Sequence, residues 1–145
     1  MGKPHYKPIG YIRTNHTSAK AAPPSSQRNR ERGELHLLKK YAKGLRDVDG
    51  FSHLLIIWHM HKSSGEYKLL VHPRPRPEIE VGLFSTRSPH RPNPIGVSVV
   101  EIVKVKDNVI HFRGVDMLDR TPVLDIKPLS GNIEVNKRGW IEKTM

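Results

Sequence analysis

The segment best equipped for chemistry is Gly82-Leu-Phe-Ser-Thr-Arg-Ser-Pro-His-Arg-Pro-Asn-Pro-Ile-Gly96. It starts as an apolar strand and runs into a loop carrying Arg87, His90, Arg91 and Asn93. Pro89, Pro92 and Pro94 restrict the unfolded loop, so its cationic and hydrogen-bonding groups can be held for a ligand at little ordering cost. Polar groups displayed on a stiff loop are common binding-site material. The plain alternative is a rigid connection whose arginines are merely solvated.

A second concentration is Asp116-Met-Leu-Asp-Arg-Thr-Pro122, followed by Val123-Leu-Asp-Ile-Lys-Pro128. Asp119 and Thr121 place short hydrogen-bonding groups beside a proline-fixed backbone. They suit ribose hydroxyls, an adenine edge or the cationic end of a ligand, and equally an ordinary Asp-containing turn. The early stretch Thr14 to Arg32 holds His16, Lys20, Ser25, Ser26, Gln27, Arg28, Arg30 and Arg32, and reads either as a clasp for a ligand or phosphate backbone or as a plain surface loop.

The nine histidines raise a metal-hydrolase reading, with His59 and His61 two apart on one strand face. No His-Glu-x-x-His sequence or carboxylate pairing accompanies them, so hydrogen-bonded strand histidines are the expectation and no metal site is assigned. Ser85, Ser88 and Ser98 have no nucleophile-elbow context. No Gly-x-Gly-x-x-Gly or Walker A sequence is present, which argues against a Rossmann nucleotide site and an ATPase.

The elements that must position these groups are short and β-like. Proline is concentrated at Pro23 and Pro24, at Pro73, Pro75 and Pro77, from Pro89 to Pro94, and at Pro122, where helix interiors are disfavoured. Between these points, residues rich in β-branched and aromatic types predict strands at Tyr6–Arg13, Ser52–His61, Tyr67–His72, Val81–Ser85, Gly96–Val105, Val109–Val115 and Pro122–Ile126. Lys106, Asp107 and Asn108 predict a hairpin reversal. Leu35 to Leu45 reads as a strand, from the alternation Gly33-Glu-Leu-His-Leu, followed by a short turn or helix. Many short strands with long proline-rich loops and little helix predict a mainly β fold, a single-domain antiparallel β-barrel over residues 1–145.

The chain has 145 residues, enough to bury a core without staples, and no cysteine, which removes disulfides, thiolate metal sites and a Cys nucleophile. No run approaches a membrane span and the N-terminus lacks the apolar core of a secretory signal, so a cytoplasmic protein without a membrane partner is expected. The net charge is +11. Residues 1–46 hold 11 basic and 2 acidic side chains, so most of the excess lies there, the distribution expected of a polyanion binder.

Three segments together resemble the TsaA-like (TrmO) family of tRNA N-threonylcarbamoyladenosine methyltransferases: Phe51-Ser-His-Leu-Leu-Ile-Ile-Trp-His-Met-His61, the Gly82 to Gly96 run with its Thr-Arg-Ser-x-x-Arg-Pro-Asn-Pro-Ile-Gly core, and Leu118-Asp-x-Thr-Pro-Val-x-Asp-Ile-Lys-Pro128. Ile9-Gly-Tyr-Ile-Arg-Thr14 and Gly33-Glu-Leu-His36 fit as well, so the likeness covers roughly residues 6 to 130. It implies a β-barrel methyltransferase that binds S-adenosylmethionine, works as a homodimer and acts on tRNA beside the anticodon. By position it assigns the cofactor to Pro24 and Gln27, His61 and Lys62, Arg87, and Asp119, Arg120, Thr121 and Pro122. Bacterial members often have Pro-Arg-Gln in the early loop and Gln after the histidine, where this chain has Pro24-Ser-Ser-Gln27 and Lys62. They also carry an extra C-terminal domain, whereas an end at Met145 looks like the short archaeal form.

The reaction so implied is a single in-line methyl displacement to the exocyclic nitrogen of the acceptor adenosine. The donor supplies the electrophile, and the protein orients the two reactants. No catalytic base is assigned from sequence. Arg28, Arg30, Arg32, Lys39, Lys40 and Arg91 are the candidates for RNA phosphates. The competing reading is an RNA-binding barrel without catalysis, which saturable S-adenosylmethionine binding distinguishes.

Overall fold

Alternation of apolar and polar residues drives the main architecture. In β2 (Arg32–Leu37), Gly33, Leu35 and Leu37 are buried while Arg32, Glu34 and His36 face outward, the period-2 pattern of a strand with one face on a core. The computed structural model describes residues 2, 4–16 and 30–144. Six strands close a barrel in the order β1–β2–β7–β6–β3–β8, every pairing antiparallel. The members besides β2 are β1 (Gly10–Arg13), β3 (His53–His59), β6 (Ile95–Lys106), β7 (Val109–Arg113) and β8 (Pro122–Pro128). Closure leaves this sheet without an unpaired edge.

The inward residues Ile12, Leu35, Leu37, Leu54, Ile56, Val100, Ile110, Phe112 and Val123 fill the barrel. Val115 and Met117, from the β7–β8 connection, and Leu45 join the same core. Outward residues pair across strands: Arg13 lies opposite Glu34, Glu34 opposite His111, and His111 opposite Lys104, forming one transverse row. The β6–β7 register shifts between Ile102 and Lys104, a bulge of the kind that re-aims neighbouring side chains.

The expected hairpin is present, with β6 ending at Lys106, β7 starting at Val109 and Asp107 at φ 54°. Asn108 Nδ2 donates to the Leu37 carbonyl at 2.6 Å, fastening the turn to β2. The Leu35–Leu45 stretch divides as the alternation suggests: β2 ends at Leu37 and a 3-10 segment spans Lys39–Leu45. Among the described residues, helix is confined to short 3-10 segments.

Residues up to His61 with Ile95–Ser130 form one compact unit, containing the barrel. Lys62–Pro94 with the residues from Gly131 onward form a second. In the second unit, β4 (Leu70–Val71) and β5 (Val81–Gly82) make a two-stranded ribbon. The strands expected at Tyr67–His72 and Val81–Ser85 are therefore much shorter: prolines at 73, 75 and 77 remove ladder donors, and Leu83–Ser85 is a 3-10 turn. Leu83 is buried beneath it, and Trp140 Nε1 donates to the Ser85 carbonyl at 2.8 Å. The first strand is also shorter than Tyr6–Arg13, because Lys7 and Pro8 precede the pairing that begins at Gly10.

Candidate functional site

The Leu118–Pro122 turn is fixed before any ligand arrives. Thr121, only 1% exposed, donates its hydroxyl to the Leu118 carbonyl at 2.7 Å. The backbone N–H groups of Asp119 and Arg120 donate to the carbonyls of His16 at 2.6 Å and Ile12 at 2.7 Å. Arg120 sits at φ 67°, a left-handed conformation that costs a non-glycine residue about 1–2 kcal/mol, and its side chain projects into solvent. Pro122 follows as the first residue of β8. Strain held at one residue of an otherwise well-bonded turn is what a binding loop commonly shows.

Asp119 shares its carboxylate. Oδ1 accepts the Thr14 backbone N–H at 3.0 Å and lies 3.8 Å from Arg13 Nε, while Oδ2 has Arg120 Nε at 4.0 Å. Among the described residues its second oxygen thus has only a distant cation, leaving lone pairs for a cationic or hydroxyl group of a ligand. Beside it the Thr14 hydroxyl oxygen is buried and has no hydrogen-bond partner among the described residues. A buried polar atom in that state costs about 1–3 kcal/mol, and ligand contact is one way to recover it.

These groups border a cleft of about 490 Å³ on the outside of the barrel, lined among others by Arg13, Thr14, Arg32, Glu34, His36, His111 and Asp119. Glu34 Oε1 accepts from His36 Nε2 at 2.8 Å, and Glu34 Oε2 lies 3.9 Å from His111 Nδ1. Sequence reasoning singled out Asp119 and Arg32 but passed over Arg13, Thr14, Glu34, His36 and His111. The Gly33-Glu-Leu-His alternation already puts Glu34 and His36 on one strand face; only the register of β1 and β7 brings Arg13 and His111 to them.

A part-buried chain ties the barrel wall to Asp116. Trp58 Nε1 donates to Ser98 Oγ at 2.9 Å, and Ser98, 1% exposed, donates to Asp116 Oδ1 at 2.6 Å. Gly96 lies against the Trp58 ring so closely that a Cβ there would overlap it. His61 follows β3, its backbone N–H donating to the His59 carbonyl at 2.9 Å.

In the second unit, the Thr86–Pro94 loop is internally braced. Arg91 Nη1 donates to the carbonyls of Thr86 at 3.0 Å and Ser88 at 3.1 Å, and its guanidinium lies 5.9 Å from the Phe84 ring centre. One end of Arg91 is therefore committed to loop structure. Arg87 and Lys62 are exposed. Glu78, paired with Arg76 at 2.9 Å, has its carboxyl held below the usual range by a backbone N–H and by that guanidinium.

Of the other assigned residues, Pro24, Gln27 and Arg28 lie outside the described residues. Arg30 is exposed and 3.5 Å from Glu101. Lys39 and Lys40 open the 3-10 segment after β2, with Lys40 5.2 Å from the Tyr41 ring centre. Lys40 and Tyr41 border a separate cleft of about 530 Å³ with Lys43, Arg46 and Phe51. Among the described residues no group of three or more His, Asp or Glu is arranged to hold a metal ion, and no helix is long and apolar enough to cross a membrane.

In the barrel unit, a carboxylate, a hydroxyl without a partner among the described residues and a proline-fixed turn fit S-adenosylmethionine in chemical character; the second unit, taken by itself, displays an exposed arginine on a braced loop. Residues 11–135 match the family model for the tRNA-methyltransferase O N-terminal domain. A probable S-adenosyl-L-methionine-binding protein of Pyrococcus abyssi is 39% identical over 145 residues, covering 97% of this chain and 77% of that protein. The tRNA (adenine(37)-N6)-methyltransferase of Escherichia coli is 40% identical over 138 residues, covering 88% of this chain but only 58% of the enzyme. A crystal structure of TrmO from Pseudomonas aeruginosa superposes with a TM-score of 0.78 at 30% identity, covering 96% of this chain and 63% of that one. With a specific family model spanning most of its length, and relatives and solved structures agreeing over the same span, the chain belongs to the TrmO family.

Proposed function

We propose that the protein is an S-adenosylmethionine-dependent methyltransferase acting on N6 of adenosine 37 beside the tRNA anticodon, with a threonylcarbamoylated adenosine as acceptor. The observation that carries this reading is the Asp119 turn, held rigid by backbone bonds while Asp119 Oδ2 and the Thr14 hydroxyl stay available. The TrmO family membership names the ligand class that such a turn would take.

When bound, S-adenosylmethionine supplies an electrophilic methyl group on a sulfonium centre, so no metal or covalent enzyme intermediate is needed. The protein's own part is to bind and orient. Asp119 offers a carboxylate to a cationic or hydroxyl group, Thr121 and Pro122 fix the backbone beneath it, and Arg87, His61 and Lys62 supply further polar contacts, with Pro24 and Gln27 on the early loop. Arg28, Arg30, Arg32, Lys39, Lys40 and Arg91 supply positive charge for tRNA, in keeping with a net charge of +11. A homodimer working in the cytoplasm completes the reading.

The test is mass spectrometry of tRNA nucleosides after incubation with the protein and S-adenosylmethionine, alongside titration calorimetry of the donor. A gain of one methyl on threonylcarbamoyladenosine is expected. Tight tRNA binding with neither donor binding nor methylation would establish the non-catalytic RNA-binding barrel instead.

A further inference from the structure

Methylation of an exocyclic nitrogen ends with the loss of a proton from that nitrogen, and the cleft beside Asp119 holds a group built to receive it. We propose that this cleft is the pocket for the acceptor nucleotide and that His36, oriented by Glu34, takes the proton; the proposal rests on the methyltransferase reading above.

The geometry fixes the tautomer. A carboxylate can only accept, so the 2.8 Å contact to Glu34 Oε1 places the proton of His36 on Nε2 and leaves Nδ1 as the lone-pair nitrogen. When Nδ1 gains a proton, the imidazolium is balanced by the Glu34 carboxylate already in contact with it. His111 Nδ1, 3.9 Å from Glu34 Oε2, buttresses the carboxylate from β7.

The surroundings fit a nucleotide with an anionic substituent. The cleft, at about 490 Å³, lies within the usual range of small-ligand pockets. Arg13 and Arg32 line it, and the orphaned Thr14 hydroxyl is an unused partner for a polar group. Lining the cleft with the Glu34–His36 pair are Arg13 from β1, Arg32 from β2, His111 from β7 and Asp119 from the turn, with Tyr11 of β1 opposite His36 and Lys104 of β6 opposite His111. The guanidinium groups of Arg13 and Arg32 suit a carboxylate on the incoming base and phosphates beside it. Because Asp119 belongs both to this cleft and to the turn assigned to the donor, an acceptor in the cleft adjoins the donor's residue.

In the transfer, the acceptor nitrogen forms the new N–CH3 bond with its lone pair as the S–CH3 bond breaks, the bonding electrons remaining on sulfur to give a thioether. The N–H proton passes to His36 Nδ1 and then to water. Atoms and charge balance with no further reactant.

The experiment combines His36→Gln, Glu34→Gln and Arg13→Ala in the full chain, checked for unchanged melting temperature. His36→Gln should lower single-turnover methylation about 100-fold, the low end for a lost general base, with donor affinity unchanged by calorimetry. Glu34→Gln should lower kcat with the acceptor KM unchanged, a split that a purely structural role would not produce. Arg13→Ala should raise the acceptor KM about tenfold with little change in kcat. Nitrogen-15 NMR should show His36 as the Nε2–H tautomer in the free protein. Wild-type rates in His36→Gln and Glu34→Gln, or an Nδ1–H tautomer, overturn the proposal while leaving the methyltransferase reading intact. Absence of methylation by the unaltered protein overturns both.

Discussion

Asp119 Oδ1 accepts the backbone N–H of Thr14 at 3.0 Å, joining the exit of β1 to a turn 105 residues later in the chain. The first and last barrel strands are neighbours, so this bond sits where the barrel closes. A charge-assisted bond to a half-buried amide contributes about 1.5–3 kcal/mol. Asp119→Ala is expected to lower unfolding free energy by about that amount in urea titrations. Asp119→Asn retains an acceptor oxygen and should recover most of the stability, yet still bind S-adenosylmethionine more weakly.

Arg120 occupies a left-handed conformation with an exposed side chain. Glycine adopts that conformation without steric cost but loses more unfolded-state entropy. Arg120→Gly should therefore leave stability unchanged or raise it by up to about 1 kcal/mol, whereas Arg120→Val should lower it, both read from denaturant midpoints.

The Trp58–Ser98–Asp116 chain predicts a large effect from a small deletion. Ser98→Ala leaves a part-buried indole N–H and a carboxylate oxygen each short of one partner, for a loss of about 1–3 kcal/mol. Gly96→Ala, which adds one methyl against the Trp58 ring, should cost as much or more by overpacking. Thermal melts followed by near-UV circular dichroism at the tryptophan band would report both.

Arg87 is exposed on the braced Thr86–Pro94 loop, so its removal should leave the melting temperature unchanged. Arg87→Ala is expected to weaken S-adenosylmethionine binding about tenfold, roughly 1.4 kcal/mol. Unaltered donor affinity would remove Arg87 from the site.

Charge reversal at Arg30 and Arg32 should weaken tRNA binding and flatten its salt dependence by about one unit of slope for each phosphate no longer neutralised. Arg30→Glu also sets a like charge beside Glu101, now 3.5 Å from the guanidinium. Binding measured across a series of salt concentrations gives the slope.

Much of this protein was written locally. The alternation of Gly33 to Leu37 specified a strand with Glu34 and His36 outside, Asp107-Asn108 specified the β6–β7 reversal, and the Thr-Arg-Ser and Asp-x-Thr-Pro motifs specified the family. Local patterns are legible because a pleated strand has a fixed period and a tight turn a fixed residue chemistry. The composition of Tyr67–His72 and Val81–Ser85 predicts longer strands than form, because their pairing is cut off by the prolines between them.

What tertiary structure decided is which distant residues meet. Arg13, Glu34, His111 and Lys104 form one row only because β1, β2, β7 and β6 pair in one register, and a slip of one residue would turn each of them into the core. Register is set by the closed circuit of all six strands together. The composition of residues 1–46 supplied most of the protein's positive charge, and the barrel decided that Arg13 and Arg32 line the cleft with Glu34 and His36.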